Sequence, residues 1–393
     1  MRTIVSTASA TGSAADAARA LTRSLREGLG GADPALVMFF ASTAQPLREL
    51  APALTAAFPS ATVLGSSTAG EFTEAGDSKG SVVAVAVAGD FKVVGGIGTS
   101  LKEDAEAAVQ RALSIIPQKV VGLPERTALV LLDPLAGNGE EATLLAASLF
   151  GAPVRLAGGA AGDDLAMERT YVSCGAEVAS NAIVAAVIFS RRPLGVGVCH
   201  AHQPISEPLE VTRAEGGVIY EVDGRPAWDV WREKTKDAAL GAGIDVSTLE
   251  SNDDIGAFLL RYEAGLANGA EYKIRAPLSR GKDGSLSMAC GVPTGARIRI
   301  TESEPAAQIA AARTAARRAA EALDAPPAGA IVFDCICRNL ILNDSFGDAV
   351  RGMSEELGGA PLAGFETYGE IALDVGDFSG FHNTTTVVLA FPE

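Results

Sequence analysis

Basic residues are scarce in this chain of 393 residues: 32 lysines and arginines face 48 aspartates and glutamates, for a formal net charge of −16. No Lys/Arg cluster interrupts that balance. The counterion-release term that drives sequence-independent nucleic-acid binding is therefore missing, and no nucleic-acid partner is expected. Anionic membrane surfaces are disfavoured for the same reason. Long apolar runs are lacking too: Val82 to Ala88 and Ala182 to Phe189 reach seven and eight residues, against the roughly 20 a spanning helix needs. No membrane insertion is expected. Five cysteines in so long a chain cannot build a secreted disulfide framework, and their odd number fits reduced thiols. The run Met1 to Thr7 lacks the apolar centre of a signal peptide, so a cytoplasmic setting is expected.

What the chain does contain is apolar and small: 48% hydrophobic residues, 43 glycines and only 20% charged residues. That is the composition of a globular protein of two or three domains with an ample core. Its patterning repeats. Three stretches begin with an alanine-rich helix, at Ser13 to Leu25, Leu101 to Ile116 and Pro305 to Leu323. Ser100 with Glu103, and Ser13 with Asp16, mark the starts of the second and first. An apolar strand follows each helix, at Ala35 to Phe40, Ala128 to Leu132 and Ala330 to Phe333. Second helices are expected at Pro46 to Phe58, Gly139 to Phe150 and Phe346 to Leu357. Next comes a short strand running into a glycine-rich loop: Val63 to Glu71, Arg155 to Asp163 and Leu362 to Glu370. A long apolar strand closes each unit, at Ser81 to Ala88, Asn181 to Phe189 and Thr384 to Phe391.

The expected fold class is therefore α/β: two domains with three related strand-helix-strand units and mixed sheets. The boundary is placed at residue 206, so that 1–206 holds two units and 207–393 holds an inserted segment and the third. The insert, Glu207 to Arg299, carries both tryptophans and the turn signals Asp223-Gly224, Asn268-Gly269 and Asp283-Gly284.

Several runs together resemble the FIST sensory domain with its FIST C-terminal partner. They are Leu64 to Glu71, Ala157 to Leu165, Gly195 to His200, Thr212 to Gly216, Tyr220 to Ala227, Cys335-Ile336-Cys337-Arg338, Gly364 to Glu370 and His382-Asn383. The resemblance covers nearly the whole chain. It implies a sensory part of bacterial signal transduction that recognises small ligands without catalysis of its own; amino acids are suggested for the family, and some members bind haem. No kinase, cyclase or methyl-accepting segment is seen, so a separate signalling output protein is the expected partner.

In open α/β sheets ligands sit beyond the carboxyl ends of strands. This places Ser66, Ser67, Thr68, Glu71, Asp163, Asp164, Thr367, Tyr368, Glu370 and Asn383 in a candidate ligand site. Glu71 and Glu370, facing one shared cavity, would hold an ammonium, and Arg338 would grip a carboxylate with its planar fork. The competing reading is that the Thr and Glu residues satisfy turns and that Arg338 pairs with an acid.

No metal or other cofactor is expected as resident, but haem or a metal is the alternative. His200 and His202 alternate along Val196 to His202, and Cys335 and Cys337 along another expected strand, a donor set that suits zinc if the strands are neighbours. A single imidazole would instead serve haem iron. A more distant alternative is a serine hydrolase, since Gly65-Ser66-Ser67-Thr68-Ala69 approaches a nucleophile elbow, with His200 and Asp163 or Asp164 downstream. Gly95-Gly96-Ile97-Gly98 lacks the remaining features of a nucleotide loop.

Overall fold

The structure, a computed structural model, describes residues 2–151, 154–268, 271–373 and 380–393. The first unit runs β1 (Ile4–Ala10), α1 (Ala14–Gly28), β2 (Leu36–Ala41), α2 (Leu47–Ala57), β3 (Thr62–Ser67), β4 (Glu71–Thr73), β5 (Gly76–Ser78) and β6 (Val82–Ala88). The second repeats it as β7 (Phe91–Thr99), α3 (Ala105–Leu113), β8 (Glu125–Leu132), α4 (Gly139–Phe150), β9 (Arg155–Ala160), β10 (Val172–Cys174), β11 (Glu177–Ala179) and β12 (Ala182–Ser190).

The third unit opens with β13 (Gly195–His200) and is then interrupted by β14 (Gln203–Pro204), β15 (Leu209–Glu215), β16 (Val218–Val222), β17 (Arg225–Pro226), α5 (Ala227–Gly241), α6 (Asn252–Arg261), β18 (Tyr262–Asn268), β19 (Glu271–Arg275), β20 (Pro277–Arg280), β21 (Leu286–Met288) and β22 (Arg297–Glu302). It resumes as α7 (Pro305–Glu321), β23 (Pro327–Cys335), α8 (Ile336–Leu342), α9 (Phe346–Glu356), β24 (Leu362–Thr367), β25 (Glu370–Leu373), β26 (Phe381–His382) and β27 (Thr385–Pro392). The expected α/β class, with three related units, mixed sheets and two domains, is what the chain forms.

Each unit builds a four-stranded sheet in which only one pair, β2–β3, β8–β9 or β23–β24, runs parallel and the other neighbours run antiparallel, and each sheet is completed, next to that parallel pair, by a strand pair from another unit. The orders are β1-β6-β2-β3-β10-β11, β7-β12-β8-β9-β25-β26 and β13-β27-β23-β24-β4-β5. The exchange is cyclic: unit one lends to unit three, unit three to unit two, and unit two to unit one. The insert forms a fourth, antiparallel sheet over which α5 and α6 pack.

The continuous apolar runs follow from burial on both faces of these sheets. Along β2, Leu36, Met38 and Phe40 enter a core shared by all three units, while Val37, Phe39 and Ala41 face α1 and α2. Leu129 and Leu131 of the second unit and Phe333, Phe365 and Leu389 of the third meet them. Phe40 stacks on Phe365 at 4.7 Å between ring centres, and Phe333 meets Phe365 edge-on at 5.9 Å.

Alanine dominates the outer helices because they approach glycines in the strands. A Cβ on Gly98 would lie 1.8 Å from the Ala108 carbonyl oxygen of α3, and one on Gly197 would lie 2.0 Å from that of Ala315 in α7. Gly95-Gly96-Ile97-Gly98 is thus strand β7, built for close helix packing rather than for a nucleotide.

Several local expectations change. Ser13 does cap α1 by accepting from the Asp16 N–H, but α3 starts at Ala105 with Asp104 as its cap, not at Ser100, which sits at φ 65°. β13 pairs with β27, so the third unit's sheet begins at Gly195, ahead of residue 206. Asp223 (φ 50°) and Gly224 (φ 72°) make the expected tight turn. Gly269 of the expected Asn268-Gly269 turn lies outside the described residues. Among the described residues no helix is long and apolar enough to cross a membrane.

The shared core yields a first prediction. Phe365→Ala removes the ring on which two units meet and should cost about 3–5 kcal/mol, read as a lowered denaturant midpoint. A loss under about 1 kcal/mol would mean that the units do not depend on this contact.

Candidate ligand-binding site

The glycine-rich loops prove to be clamps. Glu71 is fully buried, and its carboxyl group accepts from the Ser81 hydroxyl at 2.8 Å, from the Ser81 N–H at 3.4 Å and from the Thr68 hydroxyl. Glu370 repeats the arrangement with Thr367 Oγ1 at 2.5 Å and the Thr385 N–H at 3.1 Å. In the second unit the clamp moves to Asp133, which accepts from Thr170 Oγ1 at 2.5 Å and from the Asn181 N–H at 2.5 Å. Each acid pins the start of its unit's last strand. Glu71 and Glu370 therefore do not face a shared ligand cavity; their oxygens are consumed by the turns. Burial pushes Glu71 up to about 7, against the Thr68 and Ser81 hydrogen bonds, and raises Glu370 well above the usual range.

Arg338 is likewise not a free carboxylate anchor. It lies in the first turn of α8, because β23 stops at Cys335, and it is fully buried. Its Nε donates to Asp334 Oδ1 at 2.5 Å, and its two terminal nitrogens donate to the Gln308 side chain and to the Gln308 carbonyl at 3.0 Å. It ties α7 to β23. The same helix start takes Cys337 off the strand expected to carry both cysteines.

Ser66 donates to the Ser67 carbonyl at 2.9 Å. Ser67 accepts from the Tyr171 N–H at 2.8 Å and donates to the Tyr171 carbonyl at 3.3 Å, tying β3 to the chain entering β10. A strand, β4, follows this loop where a nucleophile elbow needs a helix, so the hydrolase context is missing. Ser67 only edges a cavity of about 180 Å³ beside Gln45, Arg48 and Tyr171.

The site comes from a departure from the repeat. Strand register makes Val172, Glu71 and Glu370 equivalent, since they pair with Ser66, Phe365 and Gly159. The second loop is thus eight residues longer than the other two, the added length falling within Gly162 to Tyr171. Asp163 organises it, accepting from the N–H groups of Met167 (2.9 Å), Glu168 (2.7 Å) and Arg169 (2.8 Å) and from the Tyr368 hydroxyl at 2.6 Å. Burial raises the Asp163 carboxyl, but the Tyr368 hydroxyl and these three N–H groups outweigh it and hold it below the usual range. The Leu165 N–H donates to the same Tyr368 oxygen at 2.8 Å. Asp164 anchors the loop to unit one through Ser42 Oγ at 2.9 Å and the Thr43 N–H at 2.8 Å.

So fastened, the loop holds Asp164, Leu165 and Met167 at φ values of 53°, 67° and 54°. Such backbone costs about 1–3 kcal/mol per residue and persists only where its surroundings impose it. Leu165 and Met167 are turned outward, 47% and 52% exposed. They stand over a cavity of about 250 Å³ between units two and three and the insert. Its walls are Pro134 and Leu135, then Cys335, Ile336, Cys337 and Leu340 around α8, and Gly256, Leu260, Leu278 and Ala289 of the insert.

Two polar side chains in this wall were expected from sequence: Tyr368, and Asn383, whose Oδ1 accepts from the Ala276 N–H at 3.3 Å. Asp163 and Asp164 act behind the loop, while Ser66, Ser67, Thr68, Glu71, Arg338, Thr367 and Glu370 lie outside the cavity wall. Leu165, Met167, Leu260 and Leu278 were missed. The signal available for the first two was the added length of the second loop.

A larger cavity, about 480 Å³, is lined by Cys199, His200, Tyr272, Lys273, Arg318 and His382. His200 Nδ1 has no hydrogen-bond partner, and burial lowers this imidazole's pKa, keeping it in the neutral form a metal needs. His202 is instead buried against Thr301 and Glu263, at 3.1 and 3.6 Å. The expected set of two histidines and two cysteines does not assemble: among the described residues no group of three or more His, Cys, Asp or Glu side chains can hold a metal ion.

Three α/β units of one plan around a common core, with a further sheet inserted into the last, define the class of protein. The FIST N domain matches residues 35–225 and the FIST C domain residues 227–373, and the chain belongs to the FIST family of signal-transduction sensory domains. It is 32% identical over 191 residues to uncharacterized proteins of Mycobacterium tuberculosis strains CDC 1551 and H37Rv, covering 48% of this chain and 48% of each relative. The chain spans about half the length of these relatives. A shorter match, 30% over 80 residues, links it to an uncharacterized protein of Methanocaldococcus jannaschii, over 20% of this chain and 16% of that one.

The clamp chemistry gives a pH prediction. Folded Glu71 keeps its proton to about pH 7, whereas the ordinary value is 4.5. The folded state then binds more protons between these values, so this stabilisation is complete below the lower pH and is lost as pH rises through the upper one. Glu71→Gln should therefore gain stability relative to wild type, on the order of 3 kcal/mol, from pH 4.5 to 8. Parallel denaturation profiles of the two proteins would refute this.

Proposed function

We propose that the chain is a cytoplasmic sensor whose small, largely apolar ligand enters the cavity beneath Leu165 and Met167, and that the signal passes to a separate output protein. The observation that carries this reading is convergence. Leu165, Met167, Leu278 and Leu340 are four of the nine large hydrophobic side chains exposed among the described residues, and all four line this one cavity. Grouped exposed apolar surface marks a binding site, whereas isolated exposed leucines do not.

Tyr368 and Asn383 supply hydroxyl and amide groups for orientation, in the usual balance of apolar walls with a few polar groups. With Arg338 locked away, the cavity wall offers no cation for a carboxylate among the described residues, so it suits an uncharged molecule better than an amino acid. The acidic surface and five free cysteines support a reducing, cytoplasmic setting.

A thermal-shift screen of metabolites tests the reading, because a ligand selective for the native state raises stability by mass action. Ala289 is exposed at the cavity wall, so Ala289→Trp should fill the site, abolish the ligand-induced shift and leave the unliganded melting temperature nearly unchanged. Undiminished shifts in that variant would place the ligand elsewhere.

One observation favours haem as a second reading: the neutral His200 on the wall of the larger cavity, whose Nδ1 has no hydrogen-bond partner while the ring also bonds the Tyr272 backbone, with Arg318 and Lys273 on the same wall. There His200 would hold the iron, and Arg318, which already pairs with Glu271 and the Val198 carbonyl, would have to exchange those partners for a haem carboxylate. Bound haem would supply an iron centre for diatomic gases. Haem titration should give a Soret band with saturating stoichiometry that His200→Ala removes; an equal band in the variant rejects the assignment.

A further inference from the structure

We infer that Cys335 and Cys337 form a two-thiolate site for a soft monovalent cation, Cu(I) or Ag(I), in the wall of the apolar cavity. The turn from β23 into α8 brings both thiols to the same cavity, although Cys335 closes the strand and Cys337 lies within the helix. They are 2% and 8% exposed, and neither is in a disulfide. The two side chains pack in one small buried cluster with Ile336, Ala69 and Ala276, and the Cys335 thiol is influenced by Cys337, by the backbone of Cys337 and Thr384, and by the Glu370 carboxyl. Backbone donors of this kind offset the negative charge of a coordinated sulfur, much as a helix N-terminus stabilises a thiolate.

The number and softness of the donors select the ion. Structural zinc takes four ligands, and calcium and magnesium take six or more oxygens. Among the described residues no third His, Cys, Asp or Glu joins this pair in a metal-holding group. Glu370 lies against the Cys335 thiol, but its oxygens also accept from Thr367 Oγ1 and the Thr385 N–H, which hold it in the turn. Two sulfurs in an apolar wall satisfy only ions content with two soft ligands, and thiolates favour Cu(I) over harder ions. Binding is a proton exchange: the cation forms two metal–sulfur bonds as two S–H bonds break and two protons leave, with no change of oxidation state. The product carries one negative charge. The inference stands whether or not an organic ligand also uses the cavity, since it rests on the thiols rather than on the rim of leucines.

The test is anaerobic titration of the reduced full chain with Cu(I) in competition with the chromophoric chelator bicinchoninate. The wild type should withdraw one equivalent. Cys335→Ser and Cys337→Ser should each weaken uptake by more than about 100-fold, beyond the loss typical of an outer-shell change. Cys174→Ser and Cys199→Ser should behave as wild type. Should Cys335→Ser fail to fold, Cys337→Ser decides, supported by mass mapping of alkylation: Ag(I) should protect Cys335 and Cys337 together. No uptake by the wild type, uptake unchanged in Cys337→Ser, or protection confined to Cys174 and Cys199 would overturn the site. So would stoichiometric Zn(II) retention dependent on the same two cysteines, since that requires further ligands.

Discussion

The sheet of each of the three repeated units has two apolar faces, and its own helices can cover only one. The other must be buried against the sheets of the remaining units, and that requirement organises the rest of the molecule. Phe40, Phe333 and Phe365 meet where Leu129 and Leu131 also converge, so three units share one interior. Burial of this kind is worth roughly 25 cal/mol per Å² of apolar surface and is nondirectional. Direction comes from the lent strand pairs, whose hydrogen-bond registers fix each unit against the next.

Polar chemistry inside so apolar a body has to be satisfied locally. Glu71, Glu370 and Asp133 do this by pinning strand starts, and Arg338 does it by joining Asp334 to Gln308. A buried charge with one partner removed is costly, whereas a well-paired one is tolerated. These residues are therefore parts of the frame. The proposed recognition site lies where the repeat is broken, at the longer loop of unit two, whose Leu165 and Met167 are held outward by Asp163, Tyr368 and Asp164. Placing the clamp on Asp133 instead of a residue equivalent to Glu71 leaves this loop's own acids available for shaping it.

The repeat was legible in the sequence because both strand faces are apolar and the helices are unusually rich in alanine; every expected main helix and strand of the three units is present. The exchange of strand pairs was not legible. Segments as short as Glu71–Thr73 and Val172–Cys174 carry no periodicity that names their partner sheet. Polar chemistry at strand ends marks buried clamps as readily as ligand contacts. Tyr368 and Asn383 reached the cavity, but Glu71, Glu370 and Arg338 did not. The hydrophobic lining came from α6, β20 and α8, distant in sequence, and only the packing of the insert against units two and three brings them together. Nothing in the spacing of Cys335 and Cys337 shows that α8 begins between them.

The lent strands also impose an order on synthesis. As the chain emerges from the ribosome, unit one has its helices and four strands within its first 90 residues, yet β10 reaches its open edge only after residue 172. Its own β4 waits much longer, for β24 at residue 362. Unit two waits for β25, almost at the end of the chain. Pairings over such sequence distances are slow to form and leave edges exposed meanwhile. The nascent chain must therefore carry open sheet edges and an uncovered inner face until its last unit is made, which makes the final strands the closing step for the whole molecule.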